Sequence, residues 1–236
     1  MAWLRSGLCI GATLVAGGVI ERFSRRSGAS DAEANGPLPG DDVIAHPTVE
    51  WTRATTIGAT PDRVWPWLVQ MGYGRGGWYT NERLDQLVWR TSAPDSGRLE
   101  PQWQQLEVGD IVADGPDHAA YFHVEKVEPG RALVYHSIRH PFRGHPVDPT
   151  DRGELERLEA RLVSAGTYLD FSWAFVLRPD RASSSRLIIR TRADFAPASI
   201  GLARVPLGFV DLFHAHTMLR TIGHHVEHEG QRSVTA

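Results

Sequence analysis

Two stretches constrain this chain more than any others: YLDFSWAFVL at 168–177 and RLIIRTRADF at 186–195. In the first, Leu169, Phe171, Trp173, Phe175 and Leu177 share one side. In the second, Leu187, Ile189, Thr191, Ala193 and Phe195 do the same, and the opposite side carries Arg186, Arg190, Arg192 and Asp194. A period of two is that of a half-buried strand. Two long antiparallel strands with one apolar face each need a cover. The stretch 207–229 supplies one, because Leu207, Val210, Phe213, Met218, Ile222 and Val226 form a helical stripe. The spacing predicts a long terminal helix laid on a sheet.

The remaining elements follow from local signals. EWTRATTI (50–57) alternates and is β-branched, which predicts a strand. Thr60-Pro61 reads as an N-cap followed by proline at the first helical position. Val64, Trp67, Leu68 and Met71 then fall on one helical face, with Pro66 inside and expected to kink it. A second short helix is expected at 81–89. Residues 99–114 read as an irregular crossing, a Gly109-Asp110 turn and a strand, and 120–138 as a hairpin across Pro129-Gly130. At 150–166, Leu155, Leu158 and Leu162 mark an amphipathic helix inserted between strands, a candidate lid. Separated strands and helices in this order indicate an α+β domain.

The ends read differently. Residues 1–26 form an apolar leader, with Arg5 before a run from Gly7 to Ile20 and Arg22, Arg25 and Arg26 behind it. Such a run rises about 21 Å as a helix against a bilayer core of roughly 30 Å. It suits a membrane anchor, a cleaved signal or a soluble helix, and the following arginines favour a cytoplasmic domain if it inserts. Residues 27–48 are small, polar and proline-bearing, which is linker composition. The folded domain is expected at 49–229 and a tail at 230–236. A net charge of −3 gives no basic face for nucleic acid. Cys9, the sole cysteine, excludes an internal disulfide or a cysteine zinc site.

The segments ATPDRVWPWLVQMGYGRGGWY, LEPQWQQLEVGD, FSWAFVL and RLIIRTR resemble the START-like superfamily, also called SRPBCC or Bet v 1-like, which includes polyketide cyclases and lipid-transfer proteins. The resemblance covers roughly residues 50–229, and the helical insertion at 150–166 lies outside its core pattern. It implies a helix-grip fold, a curved antiparallel sheet wrapped around the C-terminal helix, with an apolar cavity between them. It implies less about activity, because one fold hosts many functions.

Gly72, Gly74 and Gly77 spell G-x-G-x-x-G, the dinucleotide fingerprint. That motif needs a strand before it and a helix opening on its last glycine. Here a helical pattern precedes and Trp-Tyr-Thr-Asn follows, so the glycines are assigned to turn geometry at a cavity mouth. The eleven expected ligand contacts are Trp67, Met71, Tyr73, Trp78 and Tyr79 on the first helix and loop, Phe171, Trp173, Phe175 and Ile189 on the strands, and Phe213 and Met218 on the terminal helix. The competing reading of these residues is a filled core. No catalytic residue is identified by spacing; His123, Tyr135, Asp170 and Arg190 are the polar sheet residues available for acid–base work. Asp170 and Arg190 alternate away from the apolar faces and are expected as an external ion pair. His224 and His228, at i and i+4, lack a third ligand at recognisable spacing, so no metal and no cofactor is expected. The polar loop HSIRHPFRGHP (136–146) offers Arg139 and Arg143 to an anionic group. The favoured partner is a small hydrophobic molecule held by a binding module; the alternatives are a cyclase or dehydratase using the same cavity, or an interaction domain with a closed one.

Overall fold

The computed structural model describes residues 26–80, 95–116, 120–148, 151–199 and 204–234. The leader and the helix expected at 81–89 lie outside these. In chain order the elements are α1 (Asp31–Asn35), β1 (Val49–Ile57), α2 (Pro61–Val69), β2 (Ile111–Ala113), β3 (Tyr121–Glu128), β4 (Ala132–Arg139), α3 (Arg152–Ser164), β5 (Tyr168–Arg181), β6 (Ser184–Ala196) and α4 (Arg204–Val234). The six strands make one antiparallel sheet in the order β1-β6-β5-β4-β3-β2. With α4 lying on one face, this is the α+β arrangement expected from the alternating runs and the helix-grip fold that the resemblance implied.

Register decides what shares the inner face. One row runs Trp51, Thr191, Trp173, Tyr135, Val124 across β1, β6, β5, β4 and β3. The adjacent row runs Arg53, Ile189, Phe175, Leu133, Val127. Against these rows α4 presents Ala215, Met218, Leu219, Ile222 and Val226, all buried in the main core with Val64, Trp67 and Leu68 of α2. Phe213 does not join them. It is 59% exposed, because the buried stripe passes through Asp211 and Ala215 and leaves position 213 on the opposite side of the helix. α2 continues through Pro66 to Val69, and Thr60 occupies its N-cap position without a side-chain cap bond.

The outer face has two covers. α3 packs Leu155, Leu158 and Leu162 on Tyr121, with Ile111 and Tyr168 beside them. Tyr121 pairs with Ala113 in the register that turns its neighbour Phe122 inward, so α3 lies on the side of the sheet away from α4. The amphipathic stripe is therefore a support for the outer face and not a lid on the interior. The second cover is the segment composition marked as a linker. Leu38 packs on Ala54, Val176 and Ile188. Arg190 donates to the carbonyls of Glu33, Ala34 and Gly36 and to Asp41, while Arg186 pairs with Glu33. Residues 27–48 thus form an arm docked on β1, β6 and β5, and the folded unit begins well before Val49. Polar composition misled because the arm buries only Leu38 and Ile44 among its large apolar side chains and bonds chiefly through its backbone.

Candidate ligand-binding site

The loop after α2 brings its aromatics onto the sheet. Gly72 and Gly77 exchange two backbone hydrogen bonds of 3.1 Å and close the turn. Gly72 has φ +134, and a Cβ there would stand 2.4 Å from Val112. Only glycine suits such a conformation at so close an approach. The Tyr73 amide donates to Ala113 at 2.9 Å and ties the turn to β2. Buried Gln70 holds the next layer, donating to Tyr79 Oη at 2.8 Å and to the Arg98 carbonyl at 3.0 Å while accepting from the Glu100 amide at 3.0 Å. The glycines serve geometry, as the flanking sequence indicated.

With the turn closed, Trp78 lies over the inner face of the sheet. Its ring centroid stands 5.5 Å from Phe122, 5.6 Å from Trp173 and 5.8 Å from Tyr135. Phe122 also meets Phe171 at 5.7 Å, and Trp173 meets Phe175 at 5.1 Å. Edge and tilted contacts of this kind dominate. Inside the cluster Trp78 Nε1, Trp173 Nε1 and Tyr135 Oη are buried and have no hydrogen-bond partner among the described residues; Arg75 Nε is in the same condition. A buried polar group left unmatched costs about 1–3 kcal/mol. Three such groups within one set of touching rings is a concentration a plain hydrophobic core would avoid. Burial pushes the Tyr135 phenol above its ordinary range, with Arg75 opposing, so the hydroxyl stays protonated and can donate. Burial draws the Arg75 guanidinium down, against Tyr135 and Asp110. Arg75 is anchored by bonds to the Val69 and Trp103 carbonyls, both 3.0 Å.

A second polar group lies one register step away. Thr191 pairs with Trp173 and donates to Asp211 of α4 at 2.8 Å, and Arg53 approaches the same carboxylate at 3.0 Å. Arg53 is 2% exposed. Burial raises the Asp211 carboxyl, and the Arg53 charge opposes that rise. The triad pins the N-terminal half of α4 to the sheet beside the aromatic cluster.

The expected contacts divide accordingly. Trp78, Phe171, Trp173 and Phe175 belong to the aromatic cluster, with Phe171 and Trp173 half-buried at its edge. Ile189, Met71 and Met218 are core residues. Trp67 and Tyr79 face α4, where Trp67 stacks on His225 with centroids 4.7 Å apart and Tyr79 Oη donates to the Trp67 carbonyl. Tyr73 is half-buried in the turn, and Phe213 points outward. Of the acid–base candidates only Tyr135 faces inward. His123 pairs with Glu159 of α3 at 2.9 Å on the outer face. Asp170 and Arg190 are also outside but not joined: Asp170 accepts from His136 at 2.7 Å and Arg190 binds Asp41. The His136 imidazole is half-buried, which opposes its charge, yet the bond to Asp170 prevails and raises its pKa. The His224 and His228 rings meet edge to face, centroids 4.1 Å apart, on the exposed side of α4.

Phe122, Arg75, Arg53, Thr191 and Asp211 were not singled out from sequence. Two of them carried a readable signal. Arg53 shares parity with Trp51 and Ile57 on β1, and Asp211 sits four and seven residues before Ala215 and Met218, on the buried stripe. A charge on an apolar face marks a buried polar contact.

No family model matches the chain, and no curated protein matches it in sequence. Among solved structures it is similar to a conserved protein from Geobacillus kaustophilus, at 10% identity and TM-score 0.41 over 76% of this chain and 95% of that one. It is also similar to a norcoclaurine synthase point mutant from Thalictrum flavum, at 14% identity and TM-score 0.41 over 77% and 96%. A third is the di-domain ARO/CYC StfQ from the steffimycin biosynthetic pathway, at 14% and 0.41 over 78% of this chain and 52% of that one. Among the described residues no helix is long and apolar enough to cross a membrane. What the chain's own architecture establishes is a helix-grip domain, a six-stranded antiparallel sheet closed on its inner face by one long C-terminal helix.

Proposed function

We propose that the domain binds a small, largely apolar molecule carrying acceptor oxygens, held against the aromatic cluster between β3, β4, β5 and the 70–79 turn. The observation that carries this reading is that three buried polar atoms of one set of touching rings, Trp78 Nε1, Trp173 Nε1 and Tyr135 Oη, have no partner among the described residues. An indole N–H donates only, and a protonated phenol donates readily. The complementary ligand is therefore a planar or ring-bearing body with carbonyl, quinone or phenolic oxygens. Apolar walls with few convergent polar groups are the usual make-up of a small-molecule site.

A second reading is a cyclase or dehydratase in the same place, favoured by Tyr135 facing inward. A protonated phenol beside a ligand carbonyl stabilises charge developing on that oxygen. Native mass spectrometry of the full chain purified gently from its host, followed by organic extraction, tests the binding reading. A reproducible bound small molecule is expected, and its return to product after incubation distinguishes the enzyme. A bare mass after incubation with lipid and aromatic-polyketide panels overturns both.

A further inference from the structure

Arg139 ends β4 at the edge of the aromatic cluster. Its guanidinium lies 4.6 Å over the Phe122 ring, and it is committed to Asp114, to the Tyr121 carbonyl at 3.0 Å and to Ser137 Oγ at 2.9 Å. Arg139 is therefore not available to an outside anion, contrary to the sequence expectation. The chain then leaves the sheet. Three residues later Phe142 is 80% exposed, the most exposed of the large hydrophobic side chains among the described residues.

A single exposed phenylalanine is ordinary on a protein surface. This one has a setting. His140 Nδ1 accepts the Phe142 amide at 3.0 Å, the His140 and His145 rings lie 5.8 Å apart, and Pro141 and Pro146 bracket the turn. Between 140 and 147 the ionisable residues are His140, Arg143 and His145, with no acid, in a chain whose net charge is −3. The next acidic residue, Asp148, follows Val147, which is buried against the α3 cluster. An apolar tip beside Arg143, on a restrained turn that holds no acid, combines the two features that favour a membrane interface, apolar burial and attraction to anionic headgroups.

We propose that the 140–147 loop docks the domain on an anionic phospholipid surface, with Phe142 in the interfacial layer and Arg143 facing headgroup phosphates. The docking is independent of the ligand reading above.

The test uses the full chain with Cys9→Ser and Gly144→Cys, labelled at residue 144 with an environment-sensitive fluorophore. Vesicles are phosphatidylcholine alone or mixed with phosphatidylglycerol. With the mixed vesicles the label is expected to shift to the blue and brighten severalfold, and Phe142→Ser is expected to abolish the change. Arg143→Ser should weaken partitioning about fivefold, the worth of one cation at an anionic surface. A label at Val163→Cys, exposed on α3, is expected to remain aqueous. The proposal is overturned if the label at 144 stays aqueous while the chain sediments with vesicles, since the leader alone would then attach it. It is equally overturned by no binding, by equal responses at 144 and 163, or by an equal response to neutral vesicles. None of these readings involves the bound small molecule, so they stand apart from the mass measurement.

Discussion

Arg190, in the middle of β6, and Asp41, in a segment of linker composition, form an ion pair at 2.7 Å with the arginine side chain 3% exposed. The same guanidinium donates to three arm carbonyls. Removing one partner of a buried pair costs about 3–5 kcal/mol because the other charge is left behind. Asp41 keeps a second contact to Arg192 at 3.3 Å, so Arg190→Met is expected at the low end, about 3 kcal/mol by that measure. Urea unfolding of the substituted chain checks this. A chain started at Val49 should be less stable than one started at Ser27, and equal midpoints would show the arm to be idle.

The arm also predicts an acid limb. The hydrogen bond from Arg186 holds the Glu33 carboxyl down at about 2 from 4.5, with burial opposing. A carboxyl depressed in the folded state stabilises above its unfolded pKa and loses that contribution as it is protonated. Stability from this contact is thus full above about pH 4.5 and falls toward pH 2. Glu33→Gln should flatten that part of the profile in thermal unfolding measured across the window. An unchanged slope would remove Glu33 from the account.

Tyr135 separates binding from stability. Its hydroxyl is buried without a described partner, so Tyr135→Phe removes an unmet polar group at nearly constant volume. The unliganded domain should become more stable by about 1 kcal/mol or more. Affinity for the extracted ligand should fall by about tenfold, the value of one ordinary hydrogen bond in a dry site. Tm and titration on the same samples check both, and a loss of stability without loss of affinity would place the hydroxyl in the scaffold.

For the 70–79 turn, Gly72→Ala meets Val112 at 2.4 Å with φ +134, whereas Gly74→Ala has φ +72 and nothing within 4 Å. The second should cost about 1–2 kcal/mol, the left-handed penalty of a β-carbon. The first should cost clearly more, because β2 has to move. Denaturation midpoints rank them, and equal costs would mean that the contact relaxes freely.

Asp211→Ala leaves Arg53 charged and enclosed, and is expected to cost about 3–5 kcal/mol. Pairing it with Arg53→Met should recover much of the loss, since two apolar groups replace a pair that burial already penalises. A double-mutant cycle measures the coupling; additive losses would show that each residue acts alone.

By itself the sequence determined the element types. Period two in 168–177 and 186–195, the i, i+4 spacing of Met218, Ile222 and Val226, and the Pro129-Gly130 turn are local properties of backbone sterics and hydrophobic patterning. They suffice for an α+β sheet with a covering helix. They also suffice to read the glycines at 72, 74 and 77 as a turn, since what precedes and follows them is local too. Only the tertiary structure decided what each face meets. Asp211 and Phe213 stand two residues apart, about 200° around the helix, so the rotational setting of α4 buries one and exposes the other; the pairing of Asp211 with Arg53 and Thr191 settles it. The leucines of α3 show an apolar face but not which side of the sheet it covers. The arm's hold on Arg190 runs through backbone carbonyls, which every residue possesses and no composition reveals. The convergence of Trp78, Tyr135 and Trp173 depends on strand register and on closure of a turn far away in the chain. Those are long-range terms, and no window of sequence contains them.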